Sequence, residues 1–403
     1  MTHSRHYPLI CLILAVGTTA ALPGSAFAIP QFARQYNLRC VACHTVPPML
    51  NASGQDFLQR GYRPSAESDL TMLETAPVAL WITARQEDQL DRNFGEGYLN
   101  RVELISGGPI SIPGYIEEAF SYFLEWRPVS LESRSNGRLR DRSGRFEDAF
   151  INWQVTESFQ ITAGQFRSLS QIDVSRRLGL SEPAIFSASL PGEPAASARI
   201  TGLRAFAPSA RSPGFMFLYH SLQGESEADG LFHSVVLPFV GEWSLPITPE
   251  AHQEASFVSQ GPPKGAFLET YWRHDLSSIG GHVFVDDDRW LLTMVGTLNH
   301  AASPWTRDFY VTGALGWDDT NRTASRTRSS IEVVYIPTLA DDWLVRAGVG
   351  FRAERITGPG TFPAYIPYFV LSSPNESYTI LVQVEYRHQE NNRSFFLDLS
   401  LVF

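Results

Sequence analysis

The chain has 403 residues, with 42 acidic against 32 basic, for a formal charge of −10. That balance argues against nucleic acid as a partner, and three cysteines are too few for the disulfide framework of small exported domains. Beyond the amino-terminal segment no continuous apolar run is long enough for a membrane-spanning helix.

Met1 to Ala28 reads as an export signal. Arg5 supplies the positive start, Leu9 to Val16 with Ala20 to Leu22 the apolar region, and Ala26-Phe27-Ala28 an A-x-A cleavage site. Cleavage there leaves Ile29 as the first mature residue and removes Cys11. The mature chain then holds two cysteines, both in one motif.

That motif is Cys40-Val41-Ala42-Cys43-His44, the spacing of a c-type haem attachment site. Two thiols three residues apart lie on one side of a helical turn and can form thioether bonds to a single porphyrin. The adjoining His44 offers iron a neutral imidazole nitrogen. A structural zinc site would need further Cys or His ligands, which the following residues lack. A thioredoxin-like pair would need a βαβ surround, which is also missing.

Residues 29–76 are predicted to form a small, mostly helical haem segment. Pro30 suits a first helical position, and Phe32, Tyr36, Cys40 and Cys43 or His44 recur at helical spacing, so one helix is expected to carry the haem ligands until Pro47-Pro48 stops it. A second helix is predicted from Asn51 or Ser53, with Ser53 and Asp56 spaced as a capping box, to Gly61. So short a segment buries too little surface to stand alone, which makes the remaining chain its natural support. Met72 and Met49 are the two candidates for the distal iron ligand, because a thioether there would raise the potential. A luminal histidine or an open site remain alternatives, although His220, His274, His282 and His388 read as girdle or lumen residues more than as ligands, and either Met can simply pack.

Residues 77–403 change to period-two alternation broken by turn-rich loops. Phe120, Tyr122, Leu124 and Trp126 share one face and Ser121 and Glu125 the other; Ile151, Trp153 and Val155 alternate with Asn152 and Gln154. Thr156-Glu157-Ser158 predicts a hairpin into Phe159. About sixteen such segments are expected, and they continue to Phe403. The fold class is therefore all-β with a small α segment. A soluble sandwich is one closure; the other, favoured by export, strand length and aromatic residues near strand ends, is a transmembrane β-barrel of antiparallel strands. Asp286-Asp287-Asp288, Asp318-Asp319 and Asp341-Asp342 fall at predicted strand ends, where they either gather hard cations or serve as solvated turn residues.

Phe32-Ala33-Arg34-Gln35-Tyr36, the Cys40 to His44 motif, Leu50-Asn51, Gly54, Phe57 and Gly61-Tyr62 together resemble the fused monohaem cytochrome c and outer-membrane porin family of iron-oxidising bacteria. Ile161-Thr162-Ala163-Gly164-Gln165-Phe166 resembles a strand of anion-type porins, and Phe403 the end signal of outer-membrane barrels. The resemblance implies a haem segment lodged in the barrel lumen and the movement of electrons inward from extracellular ferrous iron.

The expected function is an outer-membrane electron conduit with one covalently bound haem c on Cys40, Cys43 and His44. Its partners would be an extracellular donor such as Fe(II), a periplasmic cytochrome or other carrier, and outer-membrane lipid. A porin whose haem-bearing segment plugs or gates the pore, and a haem-based redox sensor, are the alternatives.

Overall fold

The computed structural model describes residues 31–63, 78–92, 94–110, 119–133, 139–141, 143–156, 159–167, 177–181, 183, 211–222, 230–238, 265–274, 277–286, 289–299, 308–320, 323–337, 345–357, 363–374, 378–390 and 392–403. The expected export signal, Met72 and the Asp341-Asp342 pair lie outside them.

The amino-terminal part is built from α1 (Gln31–Gln35), a 3-10 turn (Cys40–Ala42), β1 (His44–Val46), β2 (Met49–Leu50) and α2 (Ala52–Gln59). The single helix expected to run through the motif is not formed. Asn37 turns left-handed at φ 51, and Leu38 N–H reaches back to the Ala33 carbonyl at 2.8 Å while Asn37 N–H bonds that of Arg34 at 3.4 Å. This is a Schellman stop, and it ends α1 before either cysteine. The second helix is capped by Asn51, whose Oδ1 accepts from Gly54 N–H at 2.9 Å, and not by a Ser53–Asp56 box. Asp56 pairs instead with Arg60 at 2.7 Å. The predicted end at Gly61 is correct: its φ is +70, and Tyr62 N–H bonds the Phe57 carbonyl at 2.9 Å.

The rest is a ring of antiparallel strands. In chain order these are β3 (Val78–Gln89), β4 (Phe94–Ile110), β5 (Phe120–Ser133), the short β6 (Leu139–Asp141), β7 (Arg145–Thr156), β8 (Phe159–Arg167), β9 (Arg211–Leu222), β10 (Gly230–Pro238), β11 (Gly265–His274) and β12 (Ser277–Asp286). They continue with β13 (Arg289–Asn299), β14 (Phe309–Thr320), β15 (Thr323–Tyr335), β16 (Arg346–Ile356), β17 (Ala364–Pro374), β18 (Thr379–Gln389) and β19 (Ser394–Val402). Leaving aside β6, sixteen strands of nine residues or more form the wall among the described residues. Each pairs with its neighbour, and β19 pairs with β3 to close the barrel. Arg85 Nε and NH2 reach the two oxygens of Asp398 across that seam at 2.7 and 2.8 Å, a two-pronged, charge-assisted link. The predicted hairpin is present, with Thr156 opposite Phe159.

Alternation sorts the side chains in the sense expected of a barrel in lipid. Ile331 is 52% exposed and its neighbour Glu332 5%, the reverse of a water-soluble sheet. Trp153, Trp272, Phe309 and Tyr335 are exposed towards one end of the barrel, Trp290, Trp317, Phe351 and Tyr365 towards the other, with Met294, Leu315 and Val349 between them. These are two aromatic girdles around an apolar band.

The strand directions define the two mouths. Val78 and Phe403 lie at one, here called the base, where Leu80 and Phe403 exchange backbone hydrogen bonds. The connections 168–210 and 239–264 both leave from the opposite end, since Arg167 pairs with Arg211 and β10 and β11 diverge beyond Val236–Phe267. Asp286, Asp318 and Asp319 fall in the last residues of β12 and β14 at that same far end. The predicted strand-end placement therefore holds for these three backbones.

Candidate functional site

The amino-terminal segment sits inside the barrel, at the base. Gln35 Nε2 donates to the Gly107 carbonyl on β4 at 3.4 Å, Ser121 of β5 donates to the Gly61 carbonyl, and Arg63 donates to Gln154 of β7 and Gln160 of β8. Gln59 donates to Tyr271 of β11, where Asp56 lies 3.8 Å from Arg273. On the opposite wall Val46 is fully buried in a cluster with Tyr310 of β14, Val334 of β15, Val370 of β17 and Leu381 of β18, and Met49 and Trp81 pack against it. Contacts on all sides mean that residues 31–63 form a luminal plug.

Its apolar seam is aromatic. Phe32 stacks on Tyr62 with centroids 5.2 Å apart, and Tyr62 stacks on Phe123 of β5 at 4.5 Å. Phe57 meets Phe32 edge-on at 5.0 Å. Burying such rings contributes roughly 1.5–3 kcal/mol each, enough to hold in place a segment too small to fold alone.

The Cys40 to His44 motif occupies a tight turn that α2 clamps. Asn51 Nδ2 donates to the carbonyls of Val41 and Ala42, both at 3.1 Å, and its backbone N–H to that of Cys43 at 3.0 Å. Gly54 lets the helix come so close that a β-carbon there would lie 2.1 Å from the Cys43 oxygen. Cys40 and Cys43 are both free thiols, and the Cys40 sulfur lies 3.7 Å from Thr379 Oγ1 at the start of β18. Burial pushes the Cys40 thiol up, partly offset by the Thr379 hydrogen bond. Burial, with the neighbouring Cys40 adding to it, pushes Cys43 up to about 11.

His44 leads out of the turn into β1, and its Nδ1 lies 3.2 Å from the Pro48 carbonyl oxygen. A carbonyl only accepts, so the proton belongs on Nδ1 and the lone pair on Nε2. A backbone carbonyl behind the ring is the outer partner that orients a metal-binding histidine and raises its basicity. Two unpaired thiols at i and i+3 in one clamped turn, followed by a histidine held in that tautomer, are a donor set that suits a covalently attached haem. Among the described residues no group of three or more His, Cys, Asp or Glu side chains is arranged to hold a metal ion by itself.

Of the two distal candidates, Met49 lies on the Val46 cluster against the wall, and Met72 is outside the described residues. His274, His282 and His388 belong to strands of the barrel; the side chain of His220 is not described. Three partners of the motif escaped sequence reading. Pro48 was legible only as a helix stop, Asn51 only as a helix start, and Thr379 carries no local signal, since it is 339 positions from Cys40.

No family model matches this chain, and no curated protein does. Solved structures do. An anion-selective porin from Comamonas acidovorans superposes with a TM-score of 0.50 at 8% identity, over 81% of this chain and 98% of that one. Salmonella typhi OmpF, in complex with daunomycin, gives 0.49 at 11% identity over 81% and 97%. Pseudomonas putida OprB at low pH gives 0.46 at 10% over 81% and 92%. The Comamonas likeness shows a shared fold, the porin-type outer-membrane barrel.

Proposed function

We propose that this porin-like barrel is an electron conduit of the outer membrane. One haem c, joined to Cys40 and Cys43 with His44 as proximal ligand, takes electrons from an extracellular reductant, Fe(II) by the family resemblance, for a periplasmic carrier. Such a haem supplies reversible one-electron storage at its iron. The observation that carries the reading is the motif turn itself, clamped by Asn51 inside the lumen with His44 Nδ1 on the Pro48 carbonyl. Around it this chain's residues exclude bulk water through Val46 and its cluster, and fix the imidazole's tautomer and direction. Met72 or Met49 is the distal ligand in this reading.

Outer-membrane barrels carry their longer loops outside and their short turns in the periplasm. The two longest connections leave the far end, so the base, with the plug, faces the periplasm. One haem cannot touch both sides of a hydrocarbon core about 30 Å thick, and the donor therefore enters the lumen from the far mouth.

The test uses the purified protein in sealed liposomes with ferrous iron added outside. A covalently bound haem that is reduced there, and is not reduced in His44→Ala or attached in Cys43→Ala, is the expected result. A wild-type protein without bound tetrapyrrole would end the proposal. A second reading, a porin with a plug or gate, is favoured by contacts that surround residues 31–63 on every side. Liposome swelling by sugars, unchanged by loss of haem, would select it.

A further inference from the structure

Trp81 lies near the base end of β3 and packs against the cluster that surrounds Val46 of the plug. Its one polar atom, the indole Nε1, is buried and has no hydrogen-bond partner among the described residues. An indole N–H can donate and nothing else. A donor buried in this way costs the fold the hydration it gave up, which is why such groups nearly always have an acceptor.

Strand register puts this donor in line with the attachment turn. Trp81 faces Val402 of β19, and Val402 in turn faces Thr379 of β18, so the three form one row across adjacent strands. Thr379 Oγ1 is the atom 3.7 Å from the Cys40 sulfur. Two strand spacings place the Trp81 backbone about 10 Å along the wall from that of Thr379.

A cation shares the patch. Arg101 of β4 holds its guanidinium carbon 5.2 Å from the centre of the Trp81 ring. Its polar contacts are long, 3.4 Å to Thr83 Oγ1 and 3.4 Å to Glu103. Glu103 pairs more closely with Arg127 of β5, at 2.6 Å, so its charge is answered from there and the Arg101 fork keeps donors for a second acceptor. An indole N–H beside a guanidinium is a donor pair that suits a carboxylate. A porphyrin joined to Cys40 and Cys43 brings two such groups, its propionates, on the pyrroles that carry no thioether. Carboxylates taken out of water need donors, and this patch supplies them within a few residues of the turn's own wall contact.

We propose that Trp81 and Arg101 form the carboxylate subsite of the haem, the indole N–H and the guanidinium receiving a propionate of a porphyrin held by Cys40 and Cys43. They fix the ring about its thioether bonds and offset a negative charge near the iron. The subsite deepens the haem reading above and rests on it.

The test compares the full-length protein with Trp81→Phe, Arg101→Gln and Arg101→Lys, each checked for a folded barrel by heat-dependent gel mobility. Trp81→Phe deletes the N–H and keeps an aromatic ring against the Val46 cluster. The propionate bending band in the resonance Raman spectrum is expected to shift in Trp81→Phe and Arg101→Gln, with Arg101→Lys closer to the parent. The midpoint potential should fall in Arg101→Gln, because losing a cation favours the more positive ferric iron, and Arg101→Lys should restore it. Protease cleavage of the plug adds a readout that does not depend on electron transfer. In the haem-loaded protein Trp81→Phe should speed it about tenfold, the loss of one hydrogen bond to a charged group; in the haem-free chain the same change removes an unspent donor and should leave cleavage unchanged or slower. Parent-like Raman bands in Trp81→Phe and Arg101→Gln would overturn the subsite while leaving the haem reading intact. Equal acceleration of cleavage with and without haem would also overturn it, leaving Trp81 a packing residue. A parent chain without tetrapyrrole would overturn the haem reading itself, and the subsite with it.

Discussion

Tyr62 of the plug and Phe123 of the barrel wall lie face to face, 4.5 Å between centroids and 9° between planes. Tyr62 holds a left-handed φ of 64 just beyond the end of α2, so the backbone turn that stops the helix also aims this ring at the wall. Helix termination and docking are one event. The neighbouring Gly61 is confined as well, since a β-carbon there would lie 3.0 Å from Asn152 Nδ2 and Gln160 Oε1.

Removing this stack should loosen the plug and spare the barrel. Tyr62→Ala and Phe123→Ala are each expected to cost about 3–5 kcal/mol of docking, with a coupling of roughly 0.5–1.5 kcal/mol in the double-mutant cycle. Protease cleavage within residues 31–63, at unchanged gel mobility of the folded barrel, measures it. Equal resistance in all variants would show that the stack does not hold the plug.

Asn51 performs two tasks that a single substitution separates. Asn51→Asp keeps an oxygen to cap Gly54 N–H but loses the amide that bonds Val41 and Ala42. Asn51→Ala loses both, with about 1 kcal/mol from the cap alone. Covalent haem staining should fall in both variants if the clamp shapes the attachment turn, whereas α2 should weaken only in the alanine variant. Normal staining of Asn51→Asp would assign the residue to capping alone.

Gly54→Ala tests the close approach of α2 to the motif. The added methyl meets a backbone oxygen, which cannot move aside as a flexible side chain would, so displacement of the helix is expected to cost about 1–3 kcal/mol. A Gly54→Ala protein with the parent's haem content and plug stability would show that the turn is free to shift.

The haem-free chain should respond to alkaline pH through Cys43. Its thiol is held near 11 in the fold against an ordinary value of 9.0, so between those values the unfolded chain has released a proton that the folded plug retains. Plug stability is therefore complete below the ordinary value and declines as pH rises towards the raised one. Alkylation of Cys43 should keep accelerating with pH over that interval, while a denatured control levels off near 9.0. Identical profiles would contradict the burial of this thiol.

What the chain's order of residues determined by itself is local. Period-two alternation across segments such as Ile151 to Val155 specifies strands with one apolar face, and Thr156-Glu157-Ser158 specifies a hairpin, because both signals act over a few neighbours. Two thiols and an imidazole in five positions likewise define a local donor set, the one the proposed haem would use, wherever the chain puts them. The helical spacing from Phe32 to Cys43 misled for the same reason: four apolar positions face one way in a helix, but also in a short helix and a turn pressed against a wall, and Asn37 chose the second.

Only the tertiary structure decided what surrounds the motif. Thr379 beside Cys40 and Trp81 in the same row two strands away join residues far apart in the chain, and they depend on how sixteen strands close and which mouth the plug enters. No local pattern encodes that choice, because ring closure sets the register of every strand together.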